Sequence, residues 1–165
     1  MQVPIIIDFE ASGFGKDSYP IEVGFVGTTG KAWCSLIKPE SDWQHWDRDA
    51  AQVHHISREI LLLHGRSCAV VAEQLNRFLE DCTVYTDGWA HDYIWMARLF
   101  DAADLTPHFQ LEDLRRVLTT EQESRWHATK SAVLEEMHAT RHRASTDAMV
   151  LQLTWLRSCG TALQY

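Results

Sequence analysis

Five stretches of the chain have the apolar pattern of β-strands. The first covers residues 3–10, and two more, at 21–26 and 32–37, follow it after Gly-containing connections. Branched and aromatic residues at 83–85 predict a short buried strand, and residues 109–111 predict another. We therefore expect an N-terminal meander of three strands, with two short strands later in the chain.

Apolar residues at helical spacing predict helices between and after these strands. Residues 67–82 give the clearest amphipathic helix, and strong helix formers fill residues 92–102. Thr120-Glu121-Gln122-Glu123 has the form of a capping box that starts a helix over 120–137. A helical turn at 49–54 and a last apolar stripe at 144–155 complete the pattern. This order predicts a single α/β domain, 1–165, with a mixed sheet covered by helices.

Composition and charge limit the classes of function. At 165 residues the chain is long enough to bury a core, and its net charge of −8 argues against a broad, nonspecific grip on nucleic acid. It has no apolar run of membrane-spanning length and no signal-peptide pattern at its start. Its four cysteines are scattered and lack the spacing of a zinc site. This pattern is typical of reduced cysteines in a cytoplasmic protein.

Asp8 and Glu10 are the first candidates for chemistry. Side chains two residues apart in a strand lie on one face, so both carboxylates point the same way, whereas Ile5, Ile7 and Phe9 point into a core. Carboxylates this close repel each other unless a proton or a cation lies between them, and Mg²⁺ prefers such oxygen ligands. On this stretch alone, a metal site and a solvated strand end are equally good explanations.

Further candidate acids lie after elements that come later in the chain. A two-metal phosphodiesterase site needs three or four converging carboxylates. Asp92 lies at the start of the helix after strand 83–85, where a plain helix cap explains it equally well, and Asp87 is its rival. Asp147 lies at the start of the last helix, five residues after His142, and histidine is a residue type suited to proton transfer. Taken alone, this pair is better explained as a surface histidine and a first-turn acid.

These residues occur in the order found in one known family. Asp8, Glu10, Asp92, His142 and Asp147 together resemble the site of the DEDDh 3′–5′ exonucleases of the ribonuclease H-like superfamily, and the likeness spans most of the chain. Val53-His54-His55-Ile56-Ser57 is similar to the Val-His-Gly-Ile-Thr segment of many members, with histidine in place of glycine. Trp89-Ala90-His91-Asp92 departs from the usual Asn-x-x-Phe-Asp. The resemblance implies a mixed five-stranded sheet flanked by helices.

The resemblance also implies a site and a reaction. Two divalent ions, Mg²⁺ or Mn²⁺, are expected on Asp8, Glu10, Asp92 and Asp147, with His142 as the general base. The implied activity is hydrolysis of single-stranded RNA or DNA from a free 3′ end to nucleoside 5′-monophosphates. A homodimer is implied too, because several members form one. The alternative is a catalytically inactive nucleic-acid-binding or interaction module on the same fold.

Substrate contacts are expected beside the acids. By the same resemblance, the residues that contact the terminal nucleotide or flank its base are Ala11, Ser12, Gly13, Phe14 and Ile56; for the last two, ordinary packing is at least as good an explanation. Trp43 and Trp46 are candidates for stacking further bases but are better explained as cover for the core. Arg141 and Arg143 flank His142 and are candidates for a backbone phosphate, although arginines beside a helix start are usually solvated.

Overall fold

Five strands form one mixed sheet in the computed structural model, which describes residues 2–138 and 142–160. The strands are β1 (Ile5–Ala11), β2 (Pro20–Val26), β3 (Ala32–Leu36), β4 (Thr83–Thr86) and β5 (Gln110–Asp113). Their order across the sheet is β3-β2-β1-β4-β5. The first three strands are antiparallel neighbours, whereas β4 runs parallel to β1 and β5 runs parallel to β4. The mixed, five-stranded sheet is confirmed.

Six α-helices and one 3₁₀ turn lie in the described part of the chain. They are α1 (Arg48–His54), α2 (Arg58–His64), α3 (Cys68–Leu79), α4 (Trp89–Ala103), the 3₁₀ turn Leu114–Val117, α5 (Thr120–Met137) and α6 (Ala144–Ser158). The short helix α2 has no counterpart in the prediction. Its three consecutive leucines at 61–63 leave no helical periodicity to detect.

Apolar side chains pack on both faces of β1. Ile7 and Phe9 lie in a core with residues of α3 and α4, whereas Ile6 lies in a second core with residues of α6. Because side chains alternate along a strand, Asp8 and Glu10 share the face of Ile6, and thus the side of the sheet that α6 covers. The predicted division of this strand into an apolar face and a face with both acids is confirmed.

One predicted helix start and one predicted capping box differ from the structure, whereas α5 covers the predicted residues 120–137. Helix α4 begins at Trp89 rather than at Asp92. The capping box of α5 lies one residue earlier than predicted: the Thr119 hydroxyl accepts the Gln122 N–H at 3.2 Å, and the Gln122 side chain accepts the Thr119 N–H at 3.0 Å. The prediction at Thr120 was wrong because the two adjacent threonines offer the same hydroxyl, and only backbone geometry distinguishes them.

Several smaller predictions can also be compared with the structure. Trp43 is buried and stacks on Tyr19, and Trp46 is partly buried against the same core, so both cover the core as predicted. His55 ends α1 with a φ of 56°, a left-handed conformation that glycine adopts most easily. Each of the four cysteines, all of them in the described part of the chain, is free. Within that part, no helix is long and apolar enough to cross a membrane.

Candidate active site

Four carboxylates from three elements line one cleft of about 560 Å³. Asp8 and Glu10 come from β1, Asp92 from the first turn of α4, and Asp147 from the first turn of α6. Strand β4 lies parallel to β1, so the turn that follows it brings the start of α4 to the same end of the sheet at which Glu10 lies. The structure thus brings together all four acids that the sequence singled out, and His142 lines the same cleft.

Asp92 is held deep in the wall of the cleft. It is buried, and the Thr86 hydroxyl at the end of β4 donates a short hydrogen bond to its Oδ2. Its rival Asp87 also lines the cleft but is exposed, and its carboxylate pairs with the Lys130 ammonium at 2.9 Å. Burial next to Asp8 supports Asp92, rather than Asp87, as the third acid of the set.

Glu10, His142 and Asp147 are the one group of three metal-ligating side chains that lie this close together among the described residues. One ligand atom from each lies within 4.8 Å of the other two. The backbone N–H of His142 also donates to Asp147 Oδ2 at 2.8 Å, and His142 adopts a left-handed backbone with a φ of 68°. The turn before α6 therefore directs the histidine ring and the Asp147 carboxylate toward Glu10.

The crowding of acids changes their proton affinity. Burial, followed by the charges of Asp92, Glu10 and Asp147, raises the pKa of Asp8 well above its ordinary value. Burial and the charge of Asp147 raise the pKa of Glu10 to about 8. Burial raises the pKa of Asp92 to about 7, against the hydrogen bond from Thr86, which lowers it. Without a cation, the cluster therefore retains protons that isolated carboxyls release.

The donor set fits a hard divalent cation. Carboxylate oxygens from several elements face one cleft, and their mutual repulsion is the electrostatic condition that a bound cation relieves. The residues that would hold such ions are Asp8, Glu10, Asp92 and Asp147. The ring of His142 lies close enough to Glu10 and Asp147 to act on a water molecule held among them.

The predicted substrate contacts fall into two groups. Ala11, Gly13 and Phe14 line the cleft, and Phe14 is 66% exposed at its mouth. Ser12 and Ile56 do not line it and are buried. The Ser12 hydroxyl accepts the Tyr19 backbone N–H at 3.1 Å and lies 3.0 Å from His45 Nδ1, so in this structure it supports the turn. A contact of Ser12 or Ile56 with substrate stays a prediction.

The cleft also contains residues that the sequence reasoning did not assign. His54 is 3% exposed and lines the cleft; its Nδ1 accepts the Ile56 N–H at 3.0 Å, and within the described residues its Nε2 has no hydrogen-bond partner. His91 and Trp95 stack on each other at 5.7 Å, and Phe14 meets His91 edge-on at 5.1 Å. The spacing of His91 and Trp95, four residues apart on a helix, is the signal that predicts their contact.

The two arginines beside His142, predicted as candidates for a phosphate contact, differ in what the structure shows of them. Arg143 pairs its guanidinium with the buried carboxylate of Glu22 on β2, at 2.6 Å, rather than extending into solvent alone. Arg141 lies outside the described residues. A phosphate contact from either arginine stays a prediction.

Comparisons with known proteins identify the family and the fold of the chain. A family model described as RNase_T, exonuclease, matches residues 5–152. A search of curated proteins finds no match. Among solved structures, the chain is similar to E. coli exonuclease I in complex with a dA16 oligonucleotide, with a TM-score of 0.71 at 12% identity over 99% of this chain and 42% of that one.

Two further solved structures give the same result. The zinc-bound form of the E. coli exonuclease I complex with single-stranded DNA has a TM-score of 0.68 at 14% identity over 97% of this chain and 40% of that one. Another exonuclease I structure has a TM-score of 0.70 at 12% identity over 92% of this chain and 39% of that one. At this identity the likeness shows the fold. The chain spans about two fifths of the length of these neighbours.

Proposed function

Because the chain belongs to the RNase T exonuclease family, whose model matches residues 5–152, we propose that it is a metal-dependent 3′–5′ exonuclease acting on single-stranded nucleic acid. The observation that carries this proposal is the convergence of four carboxylates and His142 in one cleft. Phosphodiester hydrolysis with two divalent ions needs such a set of acids, drawn from separate elements.

The acids would hold Mg²⁺ or Mn²⁺, with Asp8 as the central ligand because the charges of Asp92, Glu10 and Asp147 all act on its carboxylate. Bound divalent ions would stabilise the negative charge that develops on the phosphate and on the leaving oxygen. Glu10 and Asp147 would share one ion, since their oxygens and the His142 ring lie within 4.8 Å of one another. Asp92, which Thr86 fixes by a hydrogen bond, would complete the set.

His142 is the proposed general base. Its ring would take a proton from the attacking water, whose oxygen forms a new bond to the phosphorus of the terminal linkage. The bond between that phosphorus and the 3′ oxygen of the preceding nucleotide breaks, and this oxygen gains a proton. The products are a nucleoside 5′-monophosphate and a strand that is one nucleotide shorter. His142 would then return its proton to solvent.

An aromatic wall supports a single-stranded substrate. Phe14, His91 and Trp95 contact one another and line the cleft, and bases stack on such rings with little regard to sequence. Solved neighbours hold dA16 and dT13 oligonucleotides, which supports a single strand as the class of substrate. The choice between RNA and DNA follows from neither observation, so both are tested.

Three other predictions are retained with the proposal. A free 3′ end on the substrate and a homodimeric assembly follow from the family resemblance. A cytoplasmic location agrees with the four free cysteines. Of the three, the chemistry proposed at the cleft needs only the free 3′ end.

The decisive experiment follows 5′-labelled single-stranded RNA and DNA with Mg²⁺, with Mn²⁺ and with a chelator. We expect stepwise, metal-dependent shortening from the 3′ end, and protection when the 3′ hydroxyl is replaced by a phosphate. Internal cleavage, or activity that survives the chelator, would contradict the proposal. Tight binding without cleavage would identify an inactive binding module instead.

Two acids on the same helix provide matched variants for this assay. Asp92→Ala removes a buried carboxylate of the cleft, and we expect kcat/KM to fall by about 10²-fold or more. Asp101→Ala removes an exposed carboxylate near the other end of α4 and should leave activity at the wild-type level. Equal activity of both variants would exclude Asp92 from the site.

A further inference from the structure

Glu22 is a buried acid close to the cleft that the proposed chemistry does not use. It is 1% exposed and lies on β2 directly across from Glu10 in the antiparallel register. A buried carboxylate needs hydrogen-bond or ionic partners, because leaving it unpaired in the interior is costly. Its partners therefore indicate what it does.

Among the described residues, those partners all lie at the start of α6. Arg143 donates to Glu22 Oε1 from Nη2 at 2.6 Å, and from Nε to both carboxylate oxygens at 3.1 Å. The backbone N–H of Ala144 donates to Oε2 at 3.0 Å. Each oxygen of Glu22 thus accepts two contacts, which uses the lone-pair positions that a metal ligand would need.

Helix α6 depends on this carboxylate for its cap. Arg143 occupies the N-cap position but makes no capping bond with its own side chain within the described residues. Glu22 accepts the first helical N–H in its place, from a neighbouring strand. Acids stabilise a helix start both by accepting such N–H groups and through the helix dipole.

The backbone next to Glu22 adds a second restraint on α6. Gly24 lies two residues further along β2, on the same face, and a Cβ at this position would lie 2.4 Å from the Ser145 backbone nitrogen. The first turn of α6 is therefore pressed directly against β2. Glu22 and Gly24 together fix both the position and the direction of this turn.

The turn that they fix carries two groups of the cleft. His142 directly precedes Arg143, and its N–H donates to Asp147, which lies in the first turn of α6. A shift of Arg143 and Ala144 would move both the proposed base and a proposed metal ligand. We propose that Glu22 and Arg143 form a positioning clamp that holds His142 and Asp147 in register with Glu10 for catalysis.

This inference rests on the proposed exonuclease activity, so wild-type cleavage is measured first. In Glu22→Gln and Arg143→Met, kcat should fall by about 10- to 100-fold with KM for nucleic acid little changed, because small misplacements of catalytic groups mainly affect the chemical step. Arg143→Lys keeps the charge without the fork of donors and should recover part of the loss. The double variant should lose no more activity than the more impaired of the two single variants, because both substitutions remove the same interaction.

A second ion pair on the same helix supplies the control. Arg157, near the other end of α6, pairs with Glu136 of α5 at 2.7 Å. Glu136→Gln should leave kcat unchanged. If Glu22→Gln and Arg143→Met keep the wild-type kcat after correction for the folded fraction, the clamp is overturned. It is also overturned if the fold-losses in kcat of the two single variants multiply in the double variant.

A measurement without substrate separates the clamp from the proposed activity. The ring signal of His142 in ¹³C-resolved NMR, identified by its loss in His142→Ala, should be single in the wild type and shifted or broadened in Glu22→Gln. If the wild type cleaves no single-stranded nucleic acid, the proposed function is wrong, and the His142 ring signal then tests the clamp without it. An unchanged His142 signal in Glu22→Gln would overturn the clamp whether or not the wild type is active.

Discussion

Phe14 is an apolar residue at the mouth of the cleft, and the exposure of its ring is consistent with a contact to substrate. Its ring is 66% exposed, yet it contacts both His91 and Trp95, so its orientation is set before any substrate arrives. Stacking of a base on an aromatic ring contributes about 1–3 kcal/mol. Because the ring is already held in place, binding of a base costs little side-chain conformational entropy.

Phe14→Ala should therefore weaken substrate binding and spare the chemical step. We expect KM for a short single strand to rise about 5- to 100-fold with kcat nearly unchanged, from the stacking energy of one base. Steady-state kinetics on a defined oligonucleotide measure both quantities. Phe78→Ala is the matched control, because that ring is also exposed but contacts Phe25 and Trp33 on the sheet. A fall in kcat alone would contradict the stacking role.

Single residues differ in how far the sequence reveals them. The side shared by Asp8 and Glu10 follows from strand alternation, a local property, and was predicted correctly. His54 was not assigned, because its burial depends on contacts such as that with Trp46, which no local pattern encodes. The neighbourhood of Asp92 was uncertain for the same reason, since the bond from Thr86 forms only once β4 and α4 are in place.

At the scale of elements, the close approach of α6 to β2 depends on the missing side chain of Gly24. A Cβ there would meet backbone atoms of both Ser145 and Ala144 at less than 3.0 Å, and backbone cannot move aside as a flexible side chain can. The turn that carries His142 and Asp147 would have to shift away from the sheet.

Gly24→Ala should thus lower both stability and activity. We expect a loss of about 1–3 kcal/mol in the free energy of unfolding, as for other overpacked sites, together with a clear fall in kcat. Gly27→Ala, further along the same chain segment, is the control, because its Cβ would meet only the Lys31 carbonyl at 3.7 Å. Denaturant titrations and cleavage assays on both variants check the result; an equal effect of the two would argue against a tight contact at Gly24.

Helix α5 offers a test of its cap at single-residue resolution. Thr119 makes both bonds of the capping box with Gln122, whereas the adjacent Thr120 is the first helical residue. Thr119→Ala should lower the free energy of unfolding by about 1 kcal/mol, the usual cost of losing an N-cap hydroxyl. Thr120→Ala should change it by much less, and both are measured by urea denaturation. A larger loss in Thr120→Ala would instead support the capping box that the sequence predicted at Thr120.

The elements themselves were predictable wherever a long apolar stripe repeats, as in α3 and α6. The short helix α2 was missed, since its apolar run has no helical period and leaves Leu62 and Leu63 exposed. The mixed sheet was predicted from the order of the elements and its five strands from the family resemblance, but the order of the strands across the sheet was not predicted. Pairing of β4 with both β1 and β5 joins residues far apart in the chain.

At the scale of the whole molecule, the acid cluster opposes folding when no cation is present. The pKa of Glu10 is raised to about 8 and that of Asp92 to about 7, and that of Asp8 is raised as well. Unfolded carboxyls titrate near pH 4, so between about pH 5 and 8 the folded state binds more protons than the unfolded state. The free energy of unfolding must then fall as the pH rises through this window.

Metal binding should reverse this trend, which gives a prediction for the intact protein. Without metal, the melting temperature should fall between pH 5 and pH 8; Mn²⁺ should raise it, and by more at pH 8 than at pH 6, because a bound cation replaces the retained protons. Asp8→Asn should flatten the pH dependence and remove most of the increase with Mn²⁺, whereas Glu136→Gln should retain both. Thermal melts in chelator and in Mn²⁺ measure these changes. A metal-free melting temperature that rises over this range, or an undiminished Mn²⁺ effect in Asp8→Asn, would show that these carboxyls are not coupled to a cation.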